Sequence, residues 1–290
     1  MEHGLSHAFT FNHRKVRISE MIEEVINSER KVTVEDMKRI QRDDLDIQMR
    51  HSIPDMVATV NKGLSTGRLS EELRTKAQLG LKILKDWDFR MDKDKAGGSI
   101  AEAWEFSLAT YMHETKIDDV RIRRGLLNIP TSEEFVYGEI SRWAREEVTQ
   151  EVYCQVYELN ADNTCQEFLA FTLAKAVMDV EERLGPYNGD NWRMGNLVGV
   201  RFEHQPFSDT PLRGMFEEWR DHSGNRRTPT MQMHFYQTTN KRYMVQAGAV
   251  FKMIIDMSDP TSAEFTMDTE VDMARVSGAP RLERTFTELW

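Results

Sequence analysis

The chain has 290 residues, of which 40% are hydrophobic and 30% charged, and its formal net charge at pH 7 is −10. This length can bury a sizeable core, in one large domain or two smaller ones. The acidic balance argues against nucleic acid or an anionic membrane as a partner, and no run of about 18 apolar residues predicts a transmembrane helix.

The start of the chain carries no apolar segment of the kind found in a signal peptide. We therefore expect either an intracellular protein or a chain whose true N-terminus lies elsewhere, and the compartment stays open. His3 and His7 are four residues apart, but no third ligand follows at a useful spacing. This pair therefore predicts no metal site.

Residues 15–180 are predicted to be mostly helical. Residues 16–26 carry their Val, Ile and Met side chains on one side, and Thr33 followed by Asp36 predicts the start of a second helix. Pro54 is expected to interrupt the chain before a short third helix, because proline lacks the amide hydrogen that a helix interior uses.

Further helix starts are indicated by serine caps and by apolar spacing. Ser70 predicts the cap of a fourth helix. Ser99 is predicted to cap a fifth, with Glu102 three residues later completing a capping box. Two more helical patterns follow at residues 133–150 and 164–183.

Residues 87–104, WDFRMDKDKAGGSIAEAW, invite comparison with a calcium loop. An EF-hand loop that begins at Asp92 needs oxygen ligands at its fifth and twelfth positions. Ala96 and Ala103 stand at those positions. The stretch therefore predicts a charged turn that leads into an amphipathic helix, without a metal ion.

The two cysteines, Cys154 and Cys165, form neither a CxxC motif nor a C-x-x-H spacing. They are consistent with two reduced thiols or with one disulfide. The sequence leaves both alternatives open.

From about residue 192 the pattern changes from helix to strand. Three segments are predicted strands: residues 196–204, 231–237 and 242–258. The last of these is rich in Val, Ile and Phe and is predicted to be a single strand that ends at the turn 258–260. A helix-rich first two thirds followed by a strand-rich last third predicts an α+β fold.

A search for catalytic motifs finds no nucleophile elbow, phosphate-binding loop, dinucleotide fingerprint or zinc-protease helix. The carboxylate pair Asp43–Asp44 lies in a charged helical stretch, where solvation is the usual explanation. No cofactor and no metal are expected.

An ordered set of segments is more specific than any single motif. These segments resemble, in this order and spacing, the C-terminal part of the β-chain of the penicillin acylase family, which also contains acyl-homoserine lactone acylases. They are RKVRISEMI (14–22), KVTVEDMKRIQRDDLDIQMRHSIP (31–54), LKDWDFRMDKDKAGGSIAEAW (84–104), NLVGVRFEHQPF (196–207) and VFKMIIDMSDP (250–260).

The resemblance covers about residues 14 to 290 and implies a single region over 1–290, with a helical part at about 15–190 and a strand-rich part at 191–290. It implies an incomplete version of the αββα fold of N-terminal-nucleophile hydrolases. The family's Thr-Gly-x-Ser-Gly-like turn is interrupted here between Thr269 and VSGAP (276–280), while TELW (287–290) resembles the closing helix.

Members of the family are amidohydrolases whose precursor cuts itself and exposes a serine at the start of the β-chain. The α-amine of that serine is the base, since its pKa of roughly 7.7–8 lies near working pH. An oxyanion hole, formed partly by an Asn side chain, then holds the tetrahedral intermediate. The resemblance places both the serine and this Asn before the matched region, and Asn12 is too close to Arg14 to be that Asn.

The implied partners are therefore an upstream acylase segment or α-chain, and an acyl-amide small molecule as substrate. Arg14 aligns with the family's active-site arginine, and a cation there lowers the pKa of the α-amine. The ordinary alternative is an arginine at a helix start, and Arg17 is the neighbour with which it can be confused.

Two functions follow from the resemblance. The first is part of a hydrolase of linear amides, of the penicillin or acyl-homoserine lactone acylase type, which is inactive alone because the nucleophilic serine is outside this chain. The second is a non-catalytic, degenerate acylase-like protein that binds an acyl ligand or another protein.

Overall fold

The structure, a computed structural model, describes residues 12–114, 137, 140–145, 147, 152–159, 162–202, 206–216, 218–239, 242–248 and 251–267. Its described residues belong to two compact units. The helical unit contains Gln48–Phe89 and Ala96–Trp192, and the mixed unit contains His13–Ile47, Arg90–Lys95 and Arg193–Trp290.

The helical unit is built around one long buried helix. Its described α-helices are α3 (Ile47–Ser65, from Gln48 onward), α4 (Glu71–Leu84), α5 (Ala96–Glu114) and α6 (Cys165–Leu184). Helix α6 packs against both α4 and α5 and is buried along most of its length. Thr164 and Glu167 form a capping box at its start, which confirms the predicted helix.

Pro54 does not interrupt the chain, so the predicted break is wrong. Helix α3 continues from Ile47 through Pro54 to Ser65. Met49, Ile53 and Met56 are all buried at helical spacing on one face of this helix. Burying this face stabilises the helix by several kcal/mol, of the order of 1.5–3 for each side chain, which offsets the cost of about 3 kcal/mol for an internal proline.

The predicted cap at Ser99 is also wrong, because α5 begins three residues earlier at Ala96. Ser99 lies inside the first turn and is completely buried. Gly97 lies in the same turn, where a Cβ atom would lie 2.3 Å from the indole ring of Trp87. Only glycine lets the start of the helix approach this ring so closely. The cap predicted at Ser70 is confirmed, since its hydroxyl accepts a hydrogen bond from the Leu73 amide.

Cys154 and Cys165 form a disulfide in the helical unit. The bond joins a short 3₁₀ turn (Val152–Cys154) to the first residue of α6. Asn163 stabilises the same turn, because its side-chain amide donates to the Cys154 carbonyl at 2.7 Å. Of the two alternatives that the sequence leaves open, the structure contains the disulfide.

The mixed unit combines helices with two small sheets. Its described α-helices are α1 (His13–Asn27), α2 (Val34–Arg42), α7 (Met194–Leu197) and α8 (Arg213–Phe216). Its strands are β1 (Val198–Phe202), β2 (Glu218–Arg220), β3 (Gln232–Thr239), β4 (Arg242–Gly248), β5 (Phe251–Ile254) and β6 (Glu264–Met267). The predicted capping box of Thr33 and Asp36 is present at the start of α2.

The first sheet has the order β2-β1-β4-β3, with β1 parallel to β4 and the other pairs antiparallel. Strands β5 and β6 form a separate antiparallel pair. The single strand predicted over 242–258 is therefore wrong. The apolar composition of this stretch favours strand on both sides of Gly248, and composition does not encode which partner each half takes.

The α+β class is confirmed: among the described residues the long helices all lie before residue 190, and the strands, with two helices of four residues, lie after it. Among the described residues, no helix has the length and apolar character needed to cross a bilayer. The predictions made for His3, His7 and residues 268–290, and most of the pattern at 133–150, lie outside the described residues.

Candidate functional site

Helix α1 places two arginines one turn apart, in different environments. Arg17 is buried, and its Nε and Nη2 donate to the two carboxylate oxygens of Asp43 at 2.7 and 3.1 Å. Its Nη1 donates to Glu20 at 3.2 Å. The hydrogen bonds to Asp43 raise the pKa of the Arg17 guanidinium above its ordinary value. Arg17 is thus permanently charged and held in a fixed fork geometry.

Arg14, the residue that the sequence predicts to be catalytic, lies in the first turn of α1 and is half-buried. Its Nε is buried and has no hydrogen-bond partner among the residues that the structure describes. A buried N–H without a partner is uncommon in a folded protein. The role of Arg14 stays a prediction.

Asp43 and Asp44 are joined by a further arginine, Arg90. Its Nη1 donates to Asp43 at 3.2 Å and to Asp44 at 2.7 Å. Backbone hydrogen bonding fixes this arrangement, because the Met91 amide donates to the Asp44 carbonyl at 2.9 Å. Burial raises the pKa of Asp44, and the hydrogen bond from Arg90 opposes that shift.

The interpretation of Asp43–Asp44 as a solvated pair is therefore wrong for Asp43, whose side chain is only 3% exposed. Its carboxylate accepts three N–H groups from two arginines. Charge-assisted hydrogen bonds of this kind offset the cost of burying a carboxylate.

A second buried ion pair fixes the loop that follows β2. Asp46 is completely buried and accepts from Asn225 Nδ2 at 2.8 Å and from Arg227 Nε at 2.9 Å. Gly224, with a φ of +96°, makes the turn just before Asn225. A Cβ atom at Gly224 would lie 2.4 Å from the Thr230 carbonyl. The loop is thus tied to the segment that follows α2.

A pocket of about 380 Å³ lies between these segments, entirely within the mixed unit. Its floor is one face of the β1–β2 pair. Its walls come from the end of α2, from Lys93 and from the loop after β2. The lining residues are Arg42, Asp44, Lys93, Val200, Phe202, Arg220, Asp221, His222, Ser223 and Thr230.

Two buried basic side chains near this pocket have lowered pKa values, and burial is the main cause for both. Burial, together with the charges of Lys252 and Lys93, lowers the pKa of His222 to about 4, while the charge of Asp221 opposes the shift. Burial and, to a smaller extent, the nearby charge of Arg42 lower the pKa of Lys252 to about 8. The Lys252 ammonium donates to Thr230 Oγ1 at 3.4 Å.

The comparison with protein families agrees with the sequence resemblance. The family model described as penicillin amidase matches residues 1–276. The chain belongs to the penicillin amidase family. The match begins before the expected residue 14 and ends before TELW (287–290). A search of curated proteins returns no match.

Members of the penicillin amidase family hydrolyse amide carbon–nitrogen bonds. In this member, the sequence indicated Arg14 and named Arg17 as the neighbour with which it can be confused. It missed the ion pair of Arg17 with Asp43, the role of Arg90 and the pocket at His222. The sequence did contain a signal for the ion-pair network. Arg17 lies one helical turn from Arg14, and the acidic pair Asp43–Asp44 follows it along the chain. The pocket has no comparable signal, because its lining residues come from five separate segments.

Proposed function

We propose that this chain is part of an amidohydrolase that cleaves linear amides, of the penicillin or acyl-homoserine lactone acylase type. The observation that carries the proposal is the match to the penicillin amidase family over residues 1–276. In this proposal, the nucleophilic serine is supplied by an upstream acylase segment or α-chain. The substrate is an acyl-amide small molecule.

The proposed chemistry is acyl transfer through a covalent intermediate. The serine hydroxyl gives its proton to the serine's own α-amine and attacks the amide carbonyl. The tetrahedral intermediate collapses, the proton passes to the leaving amine, and water then hydrolyses the acyl ester to release the acid.

Arg14 is the proposed catalytic residue of this chain. A guanidinium beside the α-amine lowers the pKa of that amine and keeps it in the neutral, basic form. The buried Nε of Arg14, which has no partner among the described residues, supports this role because it can donate to a new acceptor. Arg17 is committed to Asp43 and Glu20 and is proposed to hold α1 in place.

The proposal is tested by co-expressing this chain with an upstream acylase segment that bears the serine, and by measuring amide hydrolysis. The chain alone is expected to show no turnover, since the nucleophile and oxyanion donors together account for many orders of magnitude in rate. Arg14→Ala is expected to remove most activity of the pair. Arg39→Ala, an exposed arginine of the same unit, is the control and should have no effect.

Two results would contradict the proposal. The first is turnover by the chain alone that survives repurification at rates typical of enzymes. The second is an Arg14→Ala pair as active as the unchanged pair. Arg17→Ala is measured in parallel, with folding monitored, because a loss of activity there is expected to follow the loss of folded protein.

The second candidate is a non-catalytic, acylase-like protein that binds an acyl ligand or a protein partner. The pocket at His222 favours it, because its size falls within the range of small-molecule sites. Ligand binding without hydrolysis, unchanged by the upstream segment, would support this second function.

A further inference from the structure

The floor of the pocket presents an apolar surface beside a cation. Val200 and Phe202 are two residues apart on β1 and lie on the same face of the sheet. Arg220 is the cross-strand partner of Val200, so its side chain leaves that same face. Val200 and Phe202 are both half-buried. A ligand that covers them removes further apolar surface from water.

The charges around the pocket do not balance. Asp44 is already held by Arg90 at 2.7 Å, and Asp221 lies 3.8 Å from the ammonium of Lys93. Arg42 lines the pocket from the last turn of α2 and is exposed. Its guanidinium makes no hydrogen bond or ion pair within the described part of the chain. The pocket therefore carries a cation in excess.

Lys252, which lies behind the wall of the pocket, carries a positive charge like Arg42. Lys252 is buried beside Thr230, which lines the pocket, and Arg42 and Lys252 are close enough for their charges to repel. A bound anion would relieve this repulsion. Asp44 and Asp221 also line the pocket, and their negative charges repel an anion more strongly the more charge it carries. The pocket therefore favours an anion with a single negative charge.

We propose that this pocket binds a small amphipathic monocarboxylate, with the carboxylate at Arg42 and the apolar part on Val200 and Phe202. Arg42 can form two parallel hydrogen bonds with a carboxylate. The inference rests on the second candidate function and names the ligand class of its pocket, and it requires no nucleophile. Such a ligand has two sources, a free carboxylic acid or an uncleaved amide that carries a carboxylate.

Titration calorimetry on the full chain tests the proposal with octanoate, with N-acetyl-leucine as the carboxylate-bearing amide, with neutral octanamide and with inorganic phosphate. Octanoate is expected to bind at least 10-fold more tightly than octanamide. Tighter binding of N-acetyl-leucine than of octanoate would identify the uncleaved amide as the source. Phosphate binding as tight as that of either carboxylate would overturn the amphipathic part of the proposal.

Two variants locate the site. Arg42→Ala is expected to weaken octanoate binding by about 10- to 100-fold, the usual loss for a hydrogen bond to a charged group. Arg39→Ala removes an arginine from the same helix that is paired with Glu24 at 3.3 Å, and it should leave the affinity unchanged. Equal effects of these two variants would overturn the assignment of Arg42.

The apolar contact is tested through Phe202. Phe202→Ala is expected to weaken octanoate binding several-fold and acetate binding hardly at all, because only the longer ligand reaches the ring. The ring resonances of His222 should shift on saturation with octanoate and stay in place in Arg42→Ala. Binding without any change at His222 would place the ligand elsewhere and overturn the proposal.

Discussion

The ion pair between Arg17 and Asp43 is expected to be a principal stabilising contact of α1. In Arg17→Ala, the Asp43 carboxylate keeps its burial but loses the two hydrogen bonds at 2.7 and 3.1 Å. Removing one partner of a buried pair costs about 3–5 kcal/mol. Arg90 still donates to Asp43 at 3.2 Å, so the lower end of that range, about 3 kcal/mol, is expected.

Urea denaturation followed by far-UV circular dichroism measures this loss. The matched control is Arg39→Ala, which removes a pair with Glu24 whose side chains are 47% and 55% exposed. Exposed pairs contribute about 0–1 kcal/mol, so the control should hardly move the transition. Because the two units can unfold separately, the transition of the mixed unit is the one to compare.

The double variant Arg17→Met, Asp43→Leu separates the charge from the packing. Removing both charges leaves no buried carboxylate in place of Asp43, and Glu20, the other partner of Arg17, is partly exposed. This variant is therefore expected to recover part of the stability that Arg17→Ala loses. Losses for Arg17→Ala no larger than those for Arg39→Ala would refute the reasoning. They would mean that water or another cation replaces Arg17 at Asp43.

Three further predictions concern other parts of the chain. Replacing Cys154 and Cys165 together by serine should lower the free energy of unfolding of the helical unit by about 3 kcal/mol, measured by thermal denaturation, since the disulfide closes a short loop. Gly63→Ala should cost about 1–3 kcal/mol or more, because a Cβ atom would lie 2.2 Å from a backbone carbonyl of α6. The pKa of His222, about 4 in the folded chain against an ordinary 6.5, means that the unfolded chain takes up the extra proton first. Stability should therefore fall by up to about 3 kcal/mol as the pH is lowered from 6.5 to 4, and His222→Gln should remove that slope.

Each of these predictions has a control within the chain. A reducing agent should reproduce the double serine variant in the unchanged chain and have no effect on the variant. Gly214→Ala introduces the same methyl group where no atom lies within 4 Å, so it should be tolerated. His51→Gln removes an exposed histidine and should leave the pH dependence unchanged. A Gly63→Ala loss equal to that of Gly214→Ala, or an unchanged slope in His222→Gln, would contradict the structure.

Local signals predicted the parts of the fold that local interactions determine. The capping box at Thr33 depends on contacts over three residues, and a pattern of that length can be read from the sequence. The change from helix to strand near residue 192 was visible for the same reason. The start of α5 was not: Ser99, the predicted cap, lies completely buried inside the helix, and Gly97 in the same turn packs against Trp87, ten residues away.

The site depends on contacts over much longer separations. Asp43 is 26 residues from Arg17 and 47 from Arg90, so nothing in its own neighbourhood distinguishes it from a solvated carboxylate. The pocket adds residues near 200 and 222 to this cluster. Periodicity can place each of these residues on a helix or strand, but the fold alone brings them together.

Arg14 and Arg17 differ in their contacts for a reason that the sequence does not contain. They are three residues apart on one helix, so their spacing places both side chains on the same face of the helix. Both are arginines, so their helix propensity is the same. The structure separates them by their partners. The donors of Arg17 are used by Asp43 and Glu20, and the buried Nε of Arg14 has no described acceptor. A catalytic cation must offer a donor to a group that arrives later. On this ground Arg14 remains the proposed catalytic residue, and Arg17 is proposed to hold the helix that carries it.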